Sequence, residues 1–147
     1  MLKKIDPLLS PDLLMILRAM GHGDEIAIVD ANYPADNHAN RLVRLDGHPG
    51  TRIVDAILSV MPLDPPQFVP VGAWHMEVAA GADPNQPIFE EYRALIKKHE
   101  GPQAVLGSIE RFAFYEKVKQ CYAIVASGER RLYGNIILKK GVIRPDE

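Results

Sequence analysis

His22 stands between Gly21 and Gly23 in the stretch MGHGDEIAIVD (residues 20–30), and Asp30 closes the apolar run that follows. Histidine gives or takes a proton near neutral pH, because its unperturbed pKa is about 6.5. An aspartate carboxylate accepts hydrogen bonds from hydroxyl groups. The two residue types together suit general acid–base work on a polar substrate. On period-two alternation Asp24, Ile26, Ile28 and Asp30 share one face of a strand. Two glycines cost folding entropy, so they need a reason. They would let the chain turn sharply and leave His22 uncrowded at a cleft. On the residues alone, a structural role for His22 and a turn-capping role for Asp30 over residues 31–36 both remain open.

Other chemistries fit less well. A phosphate loop needs strand, glycine-rich turn, then helix, so that phosphate meets the helix N-terminus. Around GHGD the order is helix, glycines, strand, and the helix offers its partly negative C-terminal end. Five histidines occur: His22, His38, His48, His75 and His99. Asp36 and Asp46 each precede a histidine by two residues, His38 and His48. No HExxH or HxH spacing accompanies them, and a lone cysteine cannot build a structural zinc site. His38 and His48 are therefore expected to be solvated loop residues, with no metal and no cofactor. No G-x-S-x-G elbow is present, and Ser108 and Ser127 read as turn residues. Cys121 reads as a small buried hydrophobe.

The elements that must position His22 and Asp30 follow from periodicity. Ser10, Pro11 and Asp12 mark a helix start, as cap, first-turn proline and acid at the positive end. Leu13, Leu17 and Met20 share a face of that helix, and Gly21 is expected to end it in a left-handed conformation. Residues 25–30 and 41–45 read as strands, with a loop over 31–40. RIVDAILSVM reads as a helix broken by Pro62, Pro65 and Pro66. Residues 67–79 read as extended, weakened by Pro70 and Gly72. Residues 88–99 form an amphipathic helix, stopped at Gly101-Pro102. VLGSI (105–109) reads as a strand, ERFAFYEKVKQ as a helix. Residues 121–128 and 132–141 read as two strands joined by a turn at GERR. Strands alternate with helices throughout, which defines an α/β class in one domain over residues 1–147.

Composition bounds the function. The 147 residues are 47% apolar and 24% charged, as in ordinary globular chains. A net charge of −2 offers no electrostatic case for nucleic acid or an anionic membrane. No run approaches the ~20 apolar residues of a membrane span, and the N-terminus lacks a signal-peptide pattern. A cytoplasmic location is the expectation.

Four blocks carry a resemblance: MLKKIDPLLSPDLLMILRAMGHGDEI, DANYPA, RFAFYEKV and GERRLYGNIILKKGV. In these blocks the chain resembles the RbsD/FucU sugar mutarotase family, in its L-fucose mutarotase branch. Residues from about 63 to 104 match less clearly. The resemblance implies a compact RbsD-like domain with a mixed sheet flanked by helices, assembling into a ring, commonly a decamer, with pockets between neighbouring subunits. It implies that His22 is the catalytic proton donor and Asp30 binds substrate. Arg111 falls where the fucose branch carries a substrate-binding arginine. Tyr133, Gly134 and Asn135 match the Tyr-Gly-Asn element that completes the pocket. The implied reaction is cofactor-free interconversion of monosaccharide anomers. A D-ribose pyranase, a non-catalytic sugar-binding accessory protein and a metal-dependent hydrolase are the rival readings. Trp74 and His75 could line the pocket or belong to core and edge; Phe112, Phe114 and Tyr115 read as core or subunit contacts.

Overall fold

The structure is a computed structural model that describes residues 1–146. Strands β1 (Glu25–Val29), β2 (Leu42–Leu45), β3 (Ala73–Met76), β4 (Leu106–Ile109), β5 (Ala123–Ser127) and β6 (Ile136–Lys139) form one sheet in the order β2-β5-β1-β6-β3-β4. β1, β5 and β2 run parallel to one another, as do β3 and β4, while β6 is antiparallel to both of its neighbours. β6 therefore runs against the other five. The carboxyl ends of five strands and the amino end of β6 meet along one edge of the sheet. This is the α/β architecture expected from the alternation of elements.

Helices α1 (Pro11–Ala19), α2 (Ala35–His38), α3 (Gly50–Leu58), α4 (Pro87–Glu100) and α5 (Arg111–Gln120) connect the strands. Ser10 caps α1 as its sequence suggests, its hydroxyl accepting from the Leu13 N–H at 3.3 Å. Glu110 caps α5, one carboxylate oxygen accepting from the N–H groups of Phe112 (2.9 Å) and Ala113 (3.0 Å). Alternate residues of β1 face two separate cores. Ile26 and Ile28 pack with Leu13, Ile53, Ile57 and Ile96; Ala27 and Val29 pack with Phe114, Val118 and Ile137. Burial on both faces is why the run is apolar without interruption.

Several local expectations are corrected. Gly21 does not end α1 in a left-handed conformation; Met20 is the C-cap, and the positive φ (+87°) belongs to Gly23. Gly21 instead starts a tight turn, its N–H donating to the Asp24 carboxylate at 2.8 Å. The last strand begins at Ile136 rather than 132, because Tyr133 takes a left-handed φ of +62° that no strand accommodates. The segments before and after GERR are not sheet neighbours; β1 lies between them. Only Ala73–Met76 of residues 67–79 joins the sheet, since the chain turns at Pro65, whose carbonyl accepts from the Phe68 N–H at 2.9 Å. A short helix, α2, occupies part of the 31–40 loop.

The contrast between the two glycines is measurable. Gly23→Ala places a side chain in the left-handed region and is expected to destabilise by about 1–2 kcal/mol. Gly21→Ala, with the nearest atom 3.8 Å from its added Cβ, is expected to cost less than half of that. Denaturant unfolding at one fixed protomer concentration checks the pair.

Candidate functional site

Ligands of open α/β sheets bind beyond the carboxyl ends of the strands. A cavity of about 210 Å³ opens there, lined in part by Asp30, Met76, Arg111, Tyr115, Tyr133 and Asn135. It is smaller than the roughly 300–1,000 Å³ of drug-sized ligand sites, which suits a small polar molecule. These residues arrive from four segments. Asp30 follows β1, Met76 ends β3, Arg111 opens α5 just after β4, and Asn135 precedes β6.

Asp30 and Asn135 lock each other. The Asp30 N–H donates to Asn135 Oδ1 at 2.8 Å, and Asn135 Nδ2 donates to Asp30 Oδ2 at 2.9 Å. The other Asp30 oxygen accepts from the Asn32 N–H at 2.9 Å, and the Tyr33 N–H also supports the carboxylate. Burial raises the Asp30 pKa above its ordinary value, and these hydrogen bonds oppose that rise without cancelling it. A carboxylate offers about four lone-pair positions, so these N–H donors leave at least one for a ligand hydroxyl.

Arg111 supplies the matching donor. Its guanidinium lies over the Phe112 ring, 5.0 Å from the centroid. Its Nε is buried and lacks a hydrogen-bond partner among the described residues. A buried N–H without an acceptor is costly unless a ligand or water completes it.

The Tyr133-Gly134-Asn135 element is held from behind. Tyr92, fully buried, donates its hydroxyl to the Gly134 carbonyl at 3.0 Å. A Cβ at Gly134 would stand 2.7 Å from Glu129 Cγ, so only glycine fits. Tyr133 Oη accepts from the Ala79 N–H at 3.3 Å, which fixes the ring that lines the cavity. Glu129 is itself buried and pinned by Arg131, which bridges it to Glu91 at 2.6 Å.

His22 lies elsewhere. It precedes β1, whereas Asp30 follows it, and the five residues of β1 alone span about 16 Å. His22 Nε2 meets Asp64 Oδ1 at 2.9 Å; the imidazole is half exposed and the Asp64 carboxylate is buried. Asp64 is set by its own N–H, which donates to the Lys139 carbonyl at 3.0 Å, at the far end of β6. The Phe68 ring stands 6.2 Å from the imidazole. The structure thus brings Asp30, Arg111, Tyr133, Gly134 and Asn135 together and leaves His22 at the opposite sheet edge of the same chain.

Sequence reasoning missed Asp64, because nothing in MPLDPP marks it. Tyr115 packs against the second core, as expected, and also lines the cavity, which was not. The turn before α5 swings its first helical face toward the strand ends, which periodicity alone does not reveal. Trp74 and His75 do not line it: Lys117 Nζ sits 4.7 Å from the Trp74 ring, and His75 stacks on Phe89 with centroids 3.8 Å apart. Cys121 is a buried thiol pushed up to about 12, unsuited to nucleophilic work. Among the described residues, no group of three His, Cys, Asp or Glu side chains could hold a metal ion, and no helix is long and apolar enough to cross a membrane.

A small cavity with a hydrogen-bonded carboxylate, a buried Arg111 Nε–H without a partner and aromatic walls defines an α/β protein with a site suited to a small hydroxyl-bearing molecule. Residues 3–143 match the RbsD / FucU transport protein family, and the chain belongs to that family. It is 40% identical to the fucose mutarotase of Homo sapiens over 148 residues, covering 97% of this chain and 94% of that one. It is 42% identical to an L-fucose mutarotase of Glaesserella parasuis over 142 residues, covering 97% and 96% of the two chains. A crystal structure of the fucose mutarotase from Streptococcus pneumoniae in complex with L-fucose superposes with a TM-score of 0.91 at 46% identity, over 97% of this chain and 100% of that one.

The raised Asp30 pKa carries a signed expectation. A hydroxyl group is accepted best by the ionised carboxylate, so binding of any hydroxyl-bearing ligand held by Asp30 should fall with acidification at a pH above 3.8, the ordinary aspartate value. For stability the sign is opposite: a raised carboxyl pKa favours the folded state at low pH, and that contribution is lost as pH rises through the folded value. Asp30→Asn should remove both trends; binding and unfolding titrations between acid and neutral pH check them.

Proposed function

We propose that this protein interconverts the α and β anomers of L-fucose by proton transfer, with Asp30, Arg111, Tyr133 and Asn135 holding the sugar and His22 from a neighbouring copy of the chain acting as the acid. The observation that carries this reading is the cavity itself, in a chain nearly half identical over its length to a fucose mutarotase with L-fucose bound.

Mutarotation breaks and remakes one bond. The anomeric hydroxyl loses its proton to water, the bond from the anomeric carbon to the ring oxygen breaks, and the ring oxygen takes up a proton from the acid. The open aldehyde turns about its C1–C2 bond and recloses on the other face, with both proton transfers reversed. Asp30 has at least one lone-pair position open for a sugar hydroxyl hydrogen. Arg111 can only donate, so it fixes a hydroxyl oxygen. The Tyr133 ring covers sugar C–H groups. His22 delivers the proton to the ring oxygen and reclaims it on closure. Its Nε2 is held by Asp64, which sets the ring orientation.

His22 and Asp30 of one chain sit at opposite sheet edges, so the full set requires assembly. A head-to-tail arrangement, in which the His22 edge of one copy meets the Asp30 edge of the next, closes into a ring. The same separation supports the rival reading: a chain that stays monomeric would bind sugar without catalysing.

Anomer exchange measured by saturation-transfer NMR on L-fucose, D-ribose, D-galactose and L-rhamnose is expected to accelerate most for L-fucose. His22→Ala should lower the catalysed rate by ~10²–10⁴-fold while preserving binding. His22→Ala and Asp30→Asn proteins, each inactive alone, should regain about a quarter of wild-type activity when subunits are exchanged in equal amounts, as random pairing across a head-to-tail interface requires. No recovery on mixing would refute the shared site. Binding without exchange in the wild-type protein would establish the non-catalytic reading, and faster exchange of D-ribose would move the substrate to that sugar.

A further inference from the structure

His38 was expected to be a solvated loop residue, and it is not. It is half buried at the end of α2, and its Nδ1 lies 3.0 Å from the Tyr33 hydroxyl. Its ring stands edge-on to Tyr33 (centroids 5.4 Å apart) and to Tyr115 (5.9 Å). Tyr33 and Tyr115 rings are 5.3 Å apart, so the three form one aromatic cluster. Two members of that cluster, Tyr33 and Tyr115, line the cavity. Tyr33 also belongs to the turn that holds Asp30: its N–H donates to the Asp30 carbonyl at 3.1 Å and supports the Asp30 carboxylate.

The polarity of the His38 bond follows from its surroundings. Burial raises the Tyr33 pKa, so the phenol keeps its proton. Burial and the nearby Lys119 lower the His38 pKa, outweighing the opposing Glu116, so the imidazole is neutral. A neutral imidazole nitrogen is the better acceptor and a phenol the better donor, so Tyr33 donates to His38 Nδ1.

Resting on the sugar-binding reading above, we propose that His38 is a positioning residue of the pocket: by holding the Tyr33 hydroxyl it fixes the Tyr115 wall and the turn that presents Asp30. It touches no sugar. Its effect passes through Tyr33, by ring contact to one wall and by backbone to the carboxylate that grips the substrate. Sugar affinity should therefore depend on the His38–Tyr33 bond more than the proton-transfer step does.

The test is a double-mutant cycle read in KM and kcat for L-fucose anomer exchange, with L-fucose affinity measured separately by calorimetry. Tyr33→Phe and His38→Phe each keep a ring and remove the bond. Each is expected to raise KM about threefold to tenfold, the span of one net hydrogen bond, and to change kcat less. The double variant should raise KM no further than either single one. His38→Asn, whose Oδ1 occupies about the position of Nδ1, should recover most of the affinity. Additive effects, an unchanged KM, or a KM change that follows lost thermal stability with no rescue by asparagine would overturn the proposal. Wild-type protein that neither binds nor exchanges L-fucose would overturn the sugar reading and this inference together; wild-type exchange with an additive cycle would overturn this inference alone.

Discussion

The paired hydrogen bonds between Asp30 and Asn135 are the constraint on which the site depends. They join the carboxyl end of β1 to the amino end of β6, two strands that run in opposite directions. The antiparallel pairing is what makes the contact possible, since it brings a strand end and a strand start to the same edge. Both side chains are buried, so each would be costly there without its partner. The lock also decides which lone pairs Asp30 has left. Orientation of the carboxylate, and so of any hydroxyl it accepts, is inherited from the sheet.

The same antiparallel strand explains why one chain keeps His22 apart from Asp30. β6 leads from Asn135 at one edge to Lys139 at the other, where the Lys139 carbonyl sets Asp64, and Asp64 meets His22. The sheet is a rigid spacer between Asp30 with Arg111 at one edge and His22 with Asp64 at the other. A monomer cannot shorten that distance without breaking the two-faced core of Ile26, Ile28, Ala27 and Val29. In the proposed reading, apposition of two copies brings the two sets together with both cores intact.

Much of this was legible in the sequence, for physical reasons that differ by residue. The strand EIAIV is apolar at every buried position, and the helices over residues 11–19 and 88–99 show one-sided periodicity, so the α/β class could be read directly. The family resemblance singled out Asp30, Arg111, Tyr133, Gly134 and Asn135, and the structure places all of them but Gly134 in the lining of one cavity. Asp64 was not, because a lone acid among prolines has no pattern; only the fold sets it beside His22. Nor could periodicity place Tyr115 or His38. Both act through contacts between α2 and α5, which are far apart in the chain. The strand expected over 132–141 failed at its start because a left-handed tyrosine leaves no trace in hydrophobic alternation.

That tyrosine also shows how the site is kept rigid. A non-glycine residue at positive φ costs about 1–3 kcal/mol and persists only where its surroundings over-determine it. Here the Tyr133 hydroxyl is tied to Ala79, the next carbonyl is tied to Tyr92, and Glu129 with Arg131 fills the space where any side chain at residue 134 would go. None of these groups except Tyr133 lines the cavity. They hold one ring and one amide at fixed distances from Asp30. For a reaction that asks of the protein mainly that a polyol be held still while protons move, a strained but immobile wall is a better use of folding energy than another catalytic group.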